Sequence, residues 1–288
     1  MKSVIFIIIS CFFFSILAAL IKFNSTSIHP VEQAFFRNFI SIFFLSPLLL
    51  KKNLWSPQKK NFKLLFLRGF LGGITMILLF CSYSLIPLSQ AMAISFSTPI
   101  FIYIGGALFF KEKTSKSMNF FTLFGFILTL IIIRPDLEIK LGIIFAIGAA
   151  ITHAMAGLLV KKLSESENIF TLMFSMVVLM TPITFIPTIY VWTTPESSII
   201  IISLILVALT ATVGNYFWTK SISSSKLTNI MPFDFTKLLF STLIGLVFFG
   251  EQIDKLIIVC GSLLILCNTL MVQNIKSNKN EKSNIPNN

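Results

Sequence analysis

The chain has 288 residues, of which 55% are hydrophobic and 12% charged, with a mean hydropathy of +0.89 and a net charge of +12. Soluble domains carry about 25% charged residues, so this composition excludes one. The excess Lys and Arg sit in short polar gaps between apolar runs, which argues against nucleic-acid binding and makes the charge a topology signal.

Ten apolar runs approach the ~20 residues needed to cross a hydrocarbon core. They predict helices at residues 3–22, 31–50, 63–84, 88–110, 118–134, 141–160, 169–192, 197–219, 226–249 and 253–272. Lys2, an apolar stretch and Ala18-Ala19 imitate a signal peptide, but further runs follow at once and imply a retained first helix. The second run has His29 and Glu32 at its outer end, read as interfacial. Arg37 lies six residues into it, at a depth of ~9 Å for a rise of 1.5 Å per residue. Arg68 stands beside Lys63 near the start of the third run and is read as snorkelling to the inner surface. The fourth run carries Ser95, Thr98 and Pro99, and the sixth His153 on one face with Ala146, Ala150 and Gly157. The eighth holds Thr212 and Asn215, and the ninth Pro232, Asp234, Lys237, Ser241 and Gly245. Tyr190, Trp192, Tyr216 and Trp218 fall near run ends, as in aromatic belts. Glu112 and Glu251 are read as interfacial corner residues. Cys11, Cys81, Cys260 and Cys267 lie inside apolar runs as small lipid- or core-facing residues, without disulfide or metal-ligand spacing. Residues 273–288 form a polar, disordered tail.

The chain also repeats itself. Gly106-Ala107-Leu108-Phe109-Phe110-Lys111-Glu112 returns as Gly245-Leu246-Val247-Phe248-Phe249-Gly250-Glu251, an offset of 139 residues. The same offset carries Ala18-Ala19-Leu20-Ile21-Lys22 onto Gly157-Leu158-Leu159-Val160-Lys161. Two repeats follow, residues 3–134 and 141–272. Lysines fill the second, fourth, sixth and eighth gaps and the tail and are absent from the first, third and seventh, while the fifth (Arg134, Asp136, Glu138, Lys140) and ninth (Glu251, Asp254, Lys255) are mixed. The positive-inside rule then puts both termini in the cytoplasm and requires an even number of spans. Five spans per half is odd, so the second repeat is inverted relative to the first. The predicted fold is an all-α polytopic membrane protein of ten transmembrane helices in two inverted five-helix repeats.

Ionisable groups at membrane depth are costly and face cavities or one another. Asp234, Lys237, Ser241 and Gly245 share one helical face, and their repeat equivalents are Ser95, Thr98, Ile102 and Gly106. Pro99 and Pro232 break matching spans, which points to a site at the repeat interface. Substrate-binding candidates are Arg37, Ser95, Thr98, Asn215, Asp234 and Lys237, and proton-coupling candidates are Asp234 and His153. The plainer alternatives are a self-neutralised Asp234–Lys237 pair and a packing role for His153. Asp234 lies ~22 Å from the outer surface, well below Arg37, so no direct bridge between them is expected. No H-E-x-x-H, G-x-S-x-G or G-x-x-x-x-G-K-[ST] is present. No metal, cofactor or enzymatic activity is expected.

Phe35-Phe36-Arg37-Asn38 resembles the second-helix motif of the ten-span EamA type within the drug/metabolite transporter superfamily. Pro232-Phe233-Asp234-Phe235-Thr236-Lys237, running to Phe249-Gly250-Glu251, resembles the motif that closes the second EamA repeat. Many members have Arg where this chain has Lys237, which keeps the cation and loses bidentate geometry. The resemblance covers nearly the whole chain outside the tail. It implies a secondary transporter of the bacterial inner membrane that moves a small polar or amphipathic metabolite by alternating access. Substrates resembling S-adenosylmethionine, amino acids or vitamins, and proton coupling or exchange, are all compatible. A multidrug or metabolite exporter is the alternative, with a channel or membrane-embedded enzyme behind it. The expected partners are a small molecule and the bilayer, and a homodimer is left open.

Overall fold

The computed structural model describes residues 2–49, 57–86, 94–95, 97–133 and 141–250, and the helical positions 259–260, 262–263, 266 and 270. Among these residues every regular element is helical. The helices are α1 (Lys2–Asn24), α2 (Pro30–Leu49), α3 (Phe62–Leu85), α4 (Thr98–Phe109), α5 (Lys116–Ile133), α6 (Leu141–Leu163), α7 (Ile169–Thr188), α8 (Ser198–Ser224), α9 (Leu227–Ile230) and α10 (Thr236–Phe249). Among the described residues, six stretches are long and apolar enough to cross a membrane, and α4 and α5 add shorter apolar segments. The start of the fourth predicted span and most of the tenth lie outside the described residues, as do Glu251, Cys267 and the tail.

The helices form where apolar residues run without interruption, and they are apolar on all sides. Their outward faces carry large side chains, which marks a lipid-facing surface. Repeat-related residues are exposed alike: Leu108 and Val247 at 69% and 71%, Phe109 and Phe248 both at 76%. The corners that follow also match. Lys111 has φ 50° and Gly250 has φ 63°, and these are the described residues in the left-handed region. The two positions are 139 residues apart, so one turn geometry is built with Gly in one half and with a strained Lys in the other.

Packing follows the same relation. Helix α1 packs on α8 and α3 on α6; α3 packs on α7 and α2 on α8; α1 packs on α10 and α4 on α6. Each couple is exchanged by the 139-residue offset, and α2 packs on its own counterpart α7. Close approach depends on small residues where helices cross. A Cβ on Gly69 would lie 2.5 Å from Leu179 Cβ, and one on Gly73 2.7 Å from Ile183 Cγ2, so α3 and α7 meet almost backbone to backbone. At the α1–α8 crossing, Ser10 Oγ donates to the Gly214 carbonyl at 2.9 Å.

Sequence reasoning expected one helix over residues 226–249. The structure instead has a one-turn α9, a 3-10 segment at Met231–Phe235, and then α10. Pro232 has no N–H to give, so regular helical bonding lapses there. Side chains add bonds to carbonyls of the 3-10 segment and of the first turn of α10. Thr236 Oγ1 donates to Phe233 O at 2.7 Å, and Ser15 Oγ of α1 to Lys237 O at 3.0 Å. Cys11 Sγ lies 3.6 Å from Asp234 O. Cys11 is therefore core-facing, a fully buried donor. Pro99 occupies the first turn of α4, after a turn at Ser97.

Several side chains read as interfacial are tethers. Glu32 is 0% exposed, and its Oε2 accepts from Thr193 N at 3.0 Å and Thr193 Oγ1 at 2.7 Å, tying the turn after α7 to the start of α2. Glu112 accepts from Leu227 N at 3.0 Å, Thr228 N at 2.9 Å and Thr228 Oγ1 at 2.9 Å. It thereby satisfies first-turn donors of α9 that have no intrahelical partner. A self-contained helix pattern cannot show either contact, because the partners are 115 and 161 residues away.

Candidate functional site

A cavity of about 220 Å³ opens between the helices, lined by residues of α1, α2, α3, α4, α6, α7 and α8 and by Asp234 and Lys237. All six substrate-binding candidates line it (Arg37, Ser95, Thr98, Asn215, Asp234 and Lys237), and so does His153. The two helix-break residues, Pro99 and Pro232, are both buried beside it and stay out of its lining.

The break at Pro232 sets the charged pair. Asp234 lies in the 3-10 segment and Lys237 in the first turn of α10, so the expected i,i+3 ion pair forms across a junction of two helix types. Lys237 Nζ stands 3.2 Å from Asp234 Oδ2. Asp234 Oδ1 faces Cys11 Sγ at 3.5 Å, and Lys237 Nζ also lies over the Phe14 ring at 5.3 Å from its centroid. The pair is neutralised internally but opens onto the cavity, where Lys237 retains 22% side-chain exposure. Ser241, placed on the same face by sequence, donates to Leu238 O of its own helix and does not line the cavity.

Arg37, 6% exposed, donates to Asn38 Oδ1 at 2.8 Å and lies 3.6 Å from Met76 Sδ. Asn215 donates to Ala211 O at 2.8 Å and Thr98 to Ala150 O at 3.4 Å, both within the cavity lining. Thr212, which shares the face of Asn215, turns away and bonds Ser41 Oγ at 2.9 Å. His153 finds its cross-helix partner in an aromatic ring: its centroid is 5.7 Å from that of Trp218 at 31°.

Two expectations are overturned here. Arg68 does not snorkel. It is 3% exposed, donates to the Leu172 carbonyl, approaches Met176 Sδ at 3.6 Å and lines the cavity. Trp218 is no belt residue either: it is 7% exposed and forms part of the cavity wall. One physical reason covers both. Distance from a span end measures depth, whereas the direction of the side chain depends on the neighbouring helix.

The lining is organised by the repeat. The 139-residue offset pairs Phe14 with His153, Arg37 with Met176, Met76 with Asn215, Leu79 with Trp218, Ser95 with Asp234 and Thr98 with Lys237, and every member of these pairs lines the cavity. Applying the offset to the sequence candidates would have found Phe14 and Met176, which sequence reasoning missed. In most of these pairs one half supplies an apolar or uncharged residue and the other a polar or charged one, whereas Leu17–Ala156 and Ile21–Val160 line the cavity as apolar pairs.

The profile of the EamA-like transporter family matches this chain twice, over residues 1–134 and 140–273. Solute carrier family 35 member G1 of Mus musculus is 28% identical over 280 residues, which is 91% of this chain and 75% of that protein. The riboflavin transporter of Vibrio cholerae is 29% identical over 64% of this chain and 62% of its own length. An S-adenosylmethionine uptake transporter of Rickettsia conorii is 26% identical over 87% of this chain and 85% of its own. A crystal structure with 12% identity superposes with a TM-score of 0.80 over 95% of this chain and 98% of that one, a likeness of fold.

Proposed function

The chain belongs to the EamA-like transporter family and is a multi-pass membrane transporter rather than an enzyme, and we propose that it is a secondary carrier working by alternating access. The observation that carries this is the cavity itself. It is lined from both halves by repeat-related residues and holds a charged pair at a proline-broken segment. Carriers built from inverted repeats bind at that kind of interface and alternate by rocking one repeat against the other.

In this reading residues 3–134 and 141–272 are two five-helix repeats of opposite orientation, making ten spans with both termini in the cytoplasm of a bacterial inner membrane. The exchange of packing partners under one offset supports the repeat, and the alternation of lysines supports the inversion. The substrate is a small polar or amphipathic metabolite. Named relatives move compounds as different as riboflavin and S-adenosylmethionine. Arg37, Ser95, Thr98, Asn215, Asp234 and Lys237 contact it. Asp234 carries the coupling proton, released from Lys237 when protonated, with His153 as the second proton-handling candidate.

Counterflow in proteoliposomes, with substrates first selected by ligand-induced thermal stabilisation, tests the carrier. Saturable, trans-stimulated flux is expected, whereas linear flux without trans-stimulation means a channel. Asp234→Asn is expected to abolish the pH dependence of uptake; retention of the wild-type pH profile would falsify coupling through Asp234.

A further inference from the structure

Among the described residues, the charges lining the cavity do not balance. Asp234 is engaged by Lys237 at 3.2 Å, which leaves Arg37 and Arg68 as further cations in the same lining. Among the described residues, neither guanidinium meets a carboxylate. The partners of Arg37 are an amide oxygen and a thioether sulfur, and its Nε is buried with no hydrogen-bond partner. Arg68 has a backbone carbonyl and another thioether. A buried, uncompensated guanidinium is costly, and a planar fork of donors matches carboxylate and phosphate oxygens.

The two cations are also placed in a related way. Arg37 lies against Met76, and Arg68 lies against Met176, which is the repeat counterpart of Arg37. Helix α7 has Met where α2 has Arg, and α3 reaches across to supply the missing guanidinium. Met76 lies eight residues beyond Arg68 on α3, a difference in level of about 12 Å at 1.5 Å per residue. The same lining carries the His153–Trp218 ring pair.

We propose that the substrate is an organic anion whose carboxylate or phosphate is received by Arg37 and Arg68 at two repeat-related levels of the cavity, with its flat apolar part against Trp218. This rests on the carrier reading and deepens it by naming the substrate class. Arg68 becomes a substrate-binding residue, and Arg37 acts as an anion site rather than as a partner for Asp234.

The test is equilibrium binding to full-length protein in nanodiscs. Of the three tryptophans, Trp55→Phe and Trp192→Phe leave Trp218 as the sole indole reporter. Phenyl phosphate is titrated against phenethylammonium, which has a similar ring and the opposite charge. Phenyl phosphate is expected to change Trp218 emission saturably and to bind at least tenfold more tightly than the amine. A single phosphate meets one level at a time, so Arg37→Gln or Arg68→Gln alone leaves one level intact, and the double Gln variant is expected to weaken binding tenfold or more. Arg37→Lys and Arg68→Lys keep the charge, and partial recovery in them separates anion binding from loss of fold. Equal or tighter binding of the amine, no saturable response to phenyl phosphate, or an affinity within twofold of wild type in the double Gln variant would each overturn the assignment. Counterflow with no preference for the anion also overturns it while leaving the carrier standing. Preferential anion binding without counterflow supports it and counts against the carrier.

Discussion

At the scale of single residues, chemistry is easier to read from sequence than direction. The charged pair of Asp234 and Lys237 is visible there because two ionisable groups three residues apart in an apolar run must neutralise each other or face a polar space. Arg68 and Trp218 are not legible in the same way, because their burial is imposed by α7 and by His153, which are remote in sequence. The corners carry two residue-level predictions. Lys111 holds a left-handed conformation that Gly250 adopts in the other half. Lys111→Gly is therefore expected to stabilise the fold by about 0.5–1 kcal/mol, seen as a raised thermal midpoint in detergent. Glu112→Ala removes the acceptor for two backbone N–H groups and a hydroxyl at the start of α9. It should cost about 1–3 kcal/mol and lower the midpoint, and Glu112→Gln should recover part of that.

At the scale of helices, nearly every described span is legible from apolar length alone, since a bilayer demands that backbone polar groups be satisfied within each segment. The internal break at residues 231–235 is only half legible. Pro232 announces a disturbance, but not that the chain takes a 3-10 segment packed against Cys11 of α1, nor that Ser15 bonds the Lys237 carbonyl just beyond it. The α3–α7 contact is not legible as such, because glycines in an apolar run do not say which helix they face. That contact makes a third prediction. In Gly73→Val, the added Cβ meets Ile183 Cγ2 at 2.7 Å, closer than real Cβ atoms come. The helices must separate, with an expected loss of about 1–3 kcal/mol measured as a lower thermal midpoint. Gly148→Ala meets only a Leu78 methyl at 3.3 Å and should be tolerated far better.

At the scale of the whole molecule, inversion of the halves has a direct measurement. Thr26 and Glu165 are repeat-related and exposed, in the turns after α1 and α6. In a background with the native cysteines replaced by Ala, Thr26→Cys is expected to react with a membrane-impermeant maleimide in intact cells. Glu165→Cys is expected to react only after permeabilisation, and labelling of both from one side would refute inversion. Sequence alone determined that this chain is an all-helical membrane protein with an internal repeat and a polar cluster near Asp234. Hydropathy, lysine placement and self-similarity are local or linear quantities that need no partner to be read. Tertiary structure decided which of the polar groups share a space. It brought Arg37, Arg68, His153, Trp218 and the Asp234–Lys237 pair around one cavity, and it sent Thr212, Ser241, Glu32 and Glu112 to structural contacts elsewhere. The physical reason is that a helix satisfies its backbone bonds whatever its rotation, while its polar side chains must avoid lipid, so the space they enter is set by the helices that pack against it.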